Sequence, residues 1–262
     1  MTRYFRLYGS FLRFSFSRAM EFRLDFFFRI GMDIVWNLVN LGFFWILYRH
    51  TPVLGGWTFD QMLVFMGGVF VADAIHMTVF SNNMWWFPIF INKGDLDYHL
   101  TRPVSPLFVL SLRDFAANSF VNLLVASGIL TWTLARYPEP LAAGSIAVFL
   151  ALLLIGVALH YAMHMIFLIP TFWMHSSNGL REIFFSMEQY ATRPYGIFRG
   201  WMARLLVSIL PFALIASFPT RALFEGLTAS LLIHMLGVTA AAFVAMRLMW
   251  QAGVRAYASA SS

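Results

Sequence analysis

The dominant feature of this sequence is a series of six long apolar runs separated by short polar segments. They cover residues 26–48, 59–80, 107–134, 145–169, 201–218 and 227–249. A helix needs about 20 mostly apolar residues to cross a bilayer core, where its backbone groups must bond one another. The runs are continuous rather than alternating, which excludes the strands of a membrane barrel. We therefore predict an all-α polytopic membrane protein with six transmembrane helices.

Charge is scarce in this chain and unevenly distributed. Hydrophobic residues make up 60% of the sequence and charged residues 11%, against about 25% charged in soluble domains. If the N-terminus is cytoplasmic, fifteen of the eighteen basic residues lie on or near the inner side, and only Arg49, Arg136 and Arg221 lie in outer loops. Because cytoplasmic loops are enriched in Lys and Arg, we predict that both termini are cytoplasmic. The net charge of +6 is thus an orientation signal, and no nucleic-acid partner is expected.

Residues 1–25 precede the first apolar run and carry an arginine at about every fifth position. This spacing leaves no uninterrupted apolar core of the kind that a signal peptide requires. We predict instead an amphipathic helix on the inner leaflet, with Phe5, Leu12 and Phe16 dipping into the membrane interface. Residues 170–200, between the fourth and fifth runs, are predicted to form a second cytoplasmic loop, and residues 250–262 a cytoplasmic tail.

The motifs of catalytic sites are missing. A P-loop needs a lysine within Gly-Lys-Ser/Thr, whereas the single lysine of the chain, Lys93, follows Asn92 and precedes Gly94. No HExxH or GxSxG motif occurs, and the lack of cysteine excludes disulfides, thiolate nucleophiles and cysteine-based metal sites. We therefore expect a chain that is not an enzyme, binds no cofactor and relies on another polypeptide for any energy from ATP.

Ionisable residues inside the apolar runs are candidates for a translocation path, because a charge in lipid is costly unless paired or hydrated. Asp73 lies mid-span with His76 one turn later, and His160 and His164 form an i,i+4 pair. We predict that these four residues line the path, with helix–helix hydrogen bonding as the alternative. No metal site is predicted, since a further ligand such as His175 has no geometric support.

The predicted cytoplasmic loop 81–106 carries local signals for a short, rigid helix. Gly94 can end the preceding segment as a C-cap, and Asp95 can cap a helix that begins at Leu96. The residue before Pro103 is disfavoured in the α region, so the helix ends there. Such a capped element suits the transmission of force from a soluble partner.

This loop resembles the hallmark of the type-2 permeases of ATP-binding-cassette (ABC) transporters, in the branch of small six-span exporter subunits. The matching residues are Ile91, Gly94, Leu96, Asp97, Leu100, Arg102, Pro103, Val104, Pro106 and Leu107. Further stretches are similar to the family pattern: Gly-Gly-Trp-Thr at 55–58, Pro-Phe at 211–212, Phe-Pro at 218–219, and Trp-x-x-Gly-x-x-x-Tyr-x-Ser-Ala at 250–260. The resemblance covers nearly the whole chain.

The resemblance implies the membrane subunit of an ATP-driven exporter in a bacterial plasma (inner) membrane. The complete transporter would contain two copies of an ABC ATPase, which hold ATP and Mg, and a second permease that is a related chain or a copy of this one. The ATPases would dock on the coupling region at about 82–100, with the N-terminal helix contributing. The coupling residues carried over are Asn92, Lys93, Gly94, Asp95, Leu96, Asp97, Leu100, Arg102 and Pro103.

The aromatic content, with 29 Phe, 9 Trp and 9 Tyr residues, favours an aromatic-lined cavity. Together with Asp73, such a cavity would select a small amphiphilic or aromatic compound, cations included, through stacking and cation–π contact. The resemblance implies efflux of a drug, toxin or natural product. Two other functions stay open at this point: a secondary transporter or channel driven by an ion gradient, and a non-transporting membrane scaffold.

Overall fold

The computed structural model describes residues 2–19, 23–174 and 178–257, and within these ranges it contains no β-strand. The α-helices of the described chain are α1 Thr2–Ala19, α2 Arg23–Tyr48, α3 Phe59–His76, α4 Asn82–Lys93, α5 Leu96–Leu100, α6 Pro106–Leu112, α7 Ala117–Arg136, α8 Ala143–Leu168, α9 Thr171–Met174, α10 Asn178–Glu188, α11 Gly200–Ser208, α12 Ala213–Glu225 and α13 Ala229–Ala256. The predicted all-α membrane architecture is confirmed. His175 and the tail residues 258–262 lie outside the described residues, as do residues 1 and 20–22 of the predicted N-terminal segment.

Five helical stretches of the described chain are long and apolar enough to cross a membrane, and the bent pair α11 and α12 raises the number to six at most. The second stretch, Phe59–Lys93, joins α3 to α4 through a π-helical turn, Met77–Ser81. Its 35 residues extend over about 52 Å at 1.5 Å per residue. The predicted loop 81–106 therefore begins as a continuation of the second span.

The predicted third span, 107–134, is not one helix, because the chain breaks between α6 and α7 at residues 113–116. The backbone groups freed by this break find partners on the neighbouring π-helical turn and on the first turn of α4. The side chain of Asn83 accepts from Asp114 N at 2.7 Å and donates to Asp114 O at 2.8 Å. Ala116 N donates to Thr78 O at 2.9 Å. The two irregular segments thus satisfy each other's hydrogen bonds in the interior.

The core of the bundle forms around α3, which packs against α7, α8 and α12. Small residues allow the close approach: a Cβ added at Gly67 would lie 3.0 Å from Leu130 Cα of α7. The helices α2 and α13 lie at the periphery and expose apolar side chains, among them Trp36, Val244 and Leu248. Exposed apolar faces of this kind suit contact with lipid.

The direction of the helices shows where the chain recrosses the bundle after α8. The helices α8 and α13 run parallel. Tyr161 of α8 contacts Phe243 of α13, and ten or eleven residues later on each side Phe172, just after α8, lies against Gly253. The segment between them must therefore return to the other end. It does so through α10, which is antiparallel to α8, and through the 3-10 turns Gln189–Thr192 and Tyr195–Ile197.

At the end of this return, Gly196 lies directly against Gly55. The prediction that residues 170–200 form one cytoplasmic loop is therefore wrong. Gly55 lies just after the C-terminal end of α2, whereas a cytoplasmic loop would lie at the end of the bundle where α2 begins. We call the two ends of the bundle the Gly55 end and the Gly94 end, after the glycines that they carry. Arg193, Arg199 and Arg204 are therefore assigned to the Gly55 end. Twelve of the eighteen basic residues then lie at or near the Gly94 end and six at or near the Gly55 end.

The predicted fifth span, 201–218, is divided into α11 and α12, which are bent by 96°. The bend follows from Pro211, which cannot continue a helix begun before it. The first residues of α12 lie beside Gly156, near the middle of α8, whereas Phe224 near its end contacts Tyr137 with ring centroids 5.0 Å apart. The pair therefore dips from the Gly55 end to the middle of the bundle and returns. The straight fifth span is corrected to a re-entrant helical hairpin.

Candidate functional site

A cavity of about 230 Å³ lies inside the bundle between α3, α8, α10 and α12, with α2 along its side. All four residues predicted for a translocation path line it: Asp73, His76, His160 and His164. Aromatic side chains from α2 and α10, Trp36 and Phe185, complete its wall. The fold therefore brings these four residues together at one cavity, although they come from helices far apart in the chain.

The three histidines of the cavity form a stack of rings in the core. The rings of His76 and His160 are parallel to within 13°, with centroids 3.8 Å apart. The ring of His164 stacks on Phe184 of α10 at 4.3 Å and lies 5.4 Å from His76. Each histidine is only 3% exposed. This packing fixes the imidazole planes and directs their nitrogen atoms sideways, toward the cavity and its surroundings.

Glu188 is a functional candidate that the sequence analysis missed. Its Oε1 lies 2.8 Å from His160 Nε2, and its side chain lines the cavity together with Asp73. Sequence reasoning assigned Glu188 to a cytoplasmic loop, because α10 is too short and too polar to resemble a span. The available signal was the i,i+4 pairing of Phe184 with Glu188, which places an aromatic ring and a carboxylate on one helix face.

Three buried nitrogen atoms of the cluster form no hydrogen bond within the described chain, and only His160 Nε2 has a charged neighbour, Glu188. The other two have no polar partner there. They are His76 Nε2 and His164 Nδ1. Buried polar groups are normally paired, so such atoms mark a place where a ligand can bond. The described residues contain no group of three or more His, Asp or Glu side chains arranged to hold a metal ion. The stacked rings offer their nitrogens side by side, whereas a metal requires them to converge.

The predicted coupling region forms a compact cap on the Gly94 end. The helix α4 ends at Lys93, and Gly94 forms the C-cap in the left-handed conformation with φ +80, which is one of the two roles, turn or C-cap, that its position allows. The helix α5 begins at Leu96 as predicted, but the side chain of Asp95 makes no capping hydrogen bond, so that part of the prediction is wrong. Leu96 is fully buried and anchors α5 to the bundle.

The other side chains of the coupling region face outward. Asn92, Lys93, Asp95, Leu100, Arg102 and Pro103 are exposed, and Asp97 is half-buried. The guanidinium carbon of Arg102 lies 3.8 Å from the ring centroid of Tyr98, which holds this charge over α5. Burial, together with the nearby Asp97 carboxylate, raises the pKa of Tyr257 after α13. The start of the tail therefore lies beside α5.

One continuous helix links the cavity to this cap. Asp73 and His76 line the cavity on α3, and Met77 and Ser81 do so on the π-helical turn. The chain then continues through α4 to Gly94 without leaving the helix. Single π-helical turns within α-helices occur frequently at functional sites. A movement at the Gly94 end therefore has a direct mechanical connection to the cavity wall.

Comparison with known protein families gives a match that covers most of the chain. The sequence model described as "ABC-2 family transporter protein" matches residues 34–261. The chain belongs to the ABC-2 transporter family. This ABC-2 permease is a membrane subunit of an ABC transporter, and its family implies an ABC ATPase as partner. Comparisons with curated proteins and with solved structures gave no match.

Proposed function

We propose that this ABC-2 permease belongs to an exporter that moves a small amphiphilic or aromatic cation, such as a drug, toxin or natural product, out of the cell. The observation that carries the proposal is the cavity around Asp73 and Glu188, because it combines two carboxylates with stacked rings inside the bundle. Among the described residues, its lining contains no Lys or Arg. A site with this charge and these aromatic walls favours a flat cation over an anion.

The size and polarity of the cavity support a small substrate. Its volume of about 230 Å³ lies below the roughly 300–1,000 Å³ of drug-sized sites. The unpaired nitrogens of His76 and His164 offer hydrogen bonds to polar groups of a ligand, while Trp36 and Phe185 offer apolar surface. Amphiphilic compounds present both kinds of surface, which is why they fit this lining.

Energy for transport would come from two copies of the ABC ATPase, which bind ATP and Mg and dock on the coupling region. When the ATPases close on ATP, α5 would move, and α4 would carry this movement through the π-helical turn into α3. The cavity would then change its accessible side, provided that the substrate binds one state more tightly than the other. The exposed residues of the coupling region, Asn92 to Pro103, would form the contact with the ATPase.

We further propose that the transporter resides in a bacterial plasma (inner) membrane with the Gly94 end in the cytoplasm. A second permease, either a related chain or a copy of this one, would complete the membrane part. The excess of basic residues at the Gly94 end supports this orientation, since cytoplasmic segments are enriched in Lys and Arg.

The first experiment purifies the permease from its native membrane in mild detergent and identifies the ATPase that accompanies it. The expected result is a stable complex with an ABC ATPase, and transport into inside-out vesicles that requires ATP. Transport that proceeds without ATP and without a bound ATPase would contradict the proposal. That outcome would favour a secondary transporter, whereas a complex that moves no substrate would favour a scaffold.

The second experiment removes two of the charges of the coupling region with the variant Asp97→Ala/Arg102→Ala. We expect normal membrane insertion but a loss of ATP-dependent transport, because both side chains belong to the surface that would receive the ATPase movement. The matched control is Arg221→Ala/Glu225→Ala, which removes an exposed ion pair of 2.6 Å at the Gly55 end. Equal transport by both double variants would show that the coupling region does not transmit force.

A further inference from the structure

A second pocket lies beside the central cavity, on the side of the Gly55 end. It has a volume of about 240 Å³ and is formed by the end of α10 and the two 3-10 turns that follow it. Its lining consists of Ser186, Gln189, Tyr190, Arg193, Ile197 and Phe198. We call it the Arg193 pocket, because Arg193 is the charged residue of this lining.

Arg193 has no acidic partner in the part of the chain that the structure describes. Neither the ion pairs of these residues nor the lining of the pocket places an Asp or Glu beside it. Its Nη1 is buried and forms no hydrogen bond there. Because buried polar groups and charges are normally paired, this N–H group marks a place where an oxyanion can bind.

The guanidinium group of Arg193 is held in place by aromatic rings. Its central carbon lies 4.7 Å from the ring centroid of Phe43 and 5.5 Å from that of Phe44, both on α2. The Ser217 hydroxyl of α12 accepts a hydrogen bond from Tyr195 N at 3.2 Å and donates to Arg193 O at 3.5 Å, which attaches the turn to the re-entrant hairpin. The ring faces stabilise the charge but do not bond the N–H groups, which lie in the guanidinium plane. That plane can therefore receive the two oxygens of a carboxylate.

The Arg193 pocket adjoins the central cavity. Gln189 lines both of them. On α2, Trp36 and Asn40 line the cavity, and Phe43, on the next turn toward the Gly55 end, contacts Arg193. The step from Trp36 to Phe43 corresponds to about 10 Å along the axis of a helix that rises 1.5 Å per residue. The cavity and the guanidinium group are therefore within reach of one small molecule.

From these observations we infer that the Arg193 pocket is an oxyanion subsite and that the substrate is a zwitterion. Its cationic aromatic part lies in the cavity around Asp73 and Glu188, and its carboxylate lies on Arg193. The inference rests on the proposed function, because it takes the cavity as the cation site. The two volumes, about 230 and 240 Å³, together fall within the roughly 300–1,000 Å³ of drug-sized sites. Charges of opposite sign at the two ends fix the orientation of such a compound.

The test compares two fluorescent dyes that share one flat xanthene cation. Tetramethylrhodamine carries a free carboxylate, and its methyl ester does not. Binding of each dye to the full chain in detergent is measured by fluorescence anisotropy. We expect the wild type to bind the free acid about tenfold more tightly than the ester, because a carboxylate forms charge-assisted hydrogen bonds with an arginine. Arg193→Gln should lose this preference and bind the ester at least as tightly as the wild type does, which shows that the cavity is intact. The control Arg199→Gln, which removes an exposed charge at the same end, should keep the preference.

Several results would overturn the inference. Equal affinity of the wild type for the two dyes, which needs no variant, would exclude an oxyanion subsite while leaving the cavity as a cation site. A preference that persists in Arg193→Gln, or that falls equally in Arg199→Gln, would place the carboxylate elsewhere. If palmitoyl-oleoyl phosphatidylglycerol abolishes the preference and phosphatidylcholine with the same acyl chains does not, the pocket belongs to the headgroup of an anionic lipid. Failure of the wild type to bind either dye would contradict the proposed function itself, and the inference with it.

Discussion

The contact between α8 and the re-entrant hairpin can be tested by adding one methyl group. In Gly156→Ala, the new Cβ would lie 2.9 Å from Cα of Ile215 and closer still to its carbonyl oxygen. Carbon atoms pack best at about 3.5–4.0 Å, so the methyl overlaps the backbone of α12 by roughly 1 Å. Backbone atoms cannot rotate away, and the two helices must separate.

Two opposing effects decide the result of this substitution. Overpacking of a core costs about 1–3 kcal/mol, whereas replacing a helical glycine by alanine gains up to about 1 kcal/mol. Because the clash is with backbone, we expect a net loss of about 1–2 kcal/mol and, for a chain of this size, a Tm lower by about 3–6 °C. The control Gly128→Ala on α7 has no atom within 4 Å of its new Cβ, so it should be neutral or stabilising.

The assay is thermal unfolding of both variants in one detergent, followed by tryptophan fluorescence and by loss of monodisperse protein. The difference in sign between Gly156→Ala and Gly128→Ala is the decisive quantity, since it removes any general effect of alanine on helices. If Gly156→Ala has the same Tm as Gly128→Ala, or a higher one, then α12 does not approach α8 at mid-bundle. The re-entrant hairpin would then have to be replaced by a straight span.

Three further predictions concern the cavity, the coupling end and the tail. Asp73→Asn should weaken binding of the flat cation ethidium, measured by fluorescence, about tenfold because a charge of the cavity is lost. The control Asp60→Asn, at the start of the same helix, should bind ethidium as the wild type does. Equal affinity of Asp73→Asn and wild type for ethidium would exclude a cation site. Burial lowers the pKa of His99, so the unfolded state takes up a proton before the folded state as the pH falls below 6.5, and the stability of the protein decreases on acidification. If the Tm of His99→Gln falls with pH as steeply as that of the wild type, His99 is not the source of this decrease. Gly253→Ala would push a methyl into the ring of Phe172 and should lower Tm by a few degrees; an unchanged Tm would mean that this contact is loose.

The spans that could be predicted from sequence are those whose burial is continuous. The stretches Phe26–Tyr48, Ala143–Met174 and Ala229–Ala256 agree with predicted runs because each is long and apolar on average, despite a few polar side chains. Periodicity could not show that α3 continues into α4. The second apolar run ends near Phe80, yet the hydrogen bonds of Asn83 to the break at Asp114 keep the next helix inside the bundle.

The return through α10 was hidden for a different reason. Hydropathy measures the average polarity of a segment, and the segment 178–197 carries Arg181, Glu182, Glu188 and Arg193, which lower this average. In the fold, Glu188 meets His160 at 2.8 Å and Arg193 lies 4.7 Å from the ring centroid of Phe43. These charges are compensated by partners that are distant in sequence, so no local pattern could reveal that the segment crosses the bundle.

For the candidate site, the sequence identifies four of the residues but not the contacts between them. Asp73, His76, His160 and His164 could be selected because each is an ionisable residue in an apolar run, where only a structural or functional role offsets its cost. Their contact depends on the packing of α3 against α8, which the sequence does not specify. The coupling region was more predictable, since the conformation of Gly94 and the start of α5 are set within a few residues.

In the proposed mechanism, the stack of His76 on His160 is the contact that responds most directly to a displacement of α3 relative to α8. The two rings are 3.8 Å apart and come from different helices, α3 and α8, and only α3 continues to the coupling region. A shift of α3 by about 1 Å along its axis would change the ring overlap and the direction of His76 Nε2, because packed interiors respond to displacements of that size. Glu188 would stay with His160 on the other side. In this mechanism the cavity divides into a moving wall, Asp73 and His76, and a fixed wall, His160 and Glu188, and a ligand that bridges both would bind only one of the two states tightly.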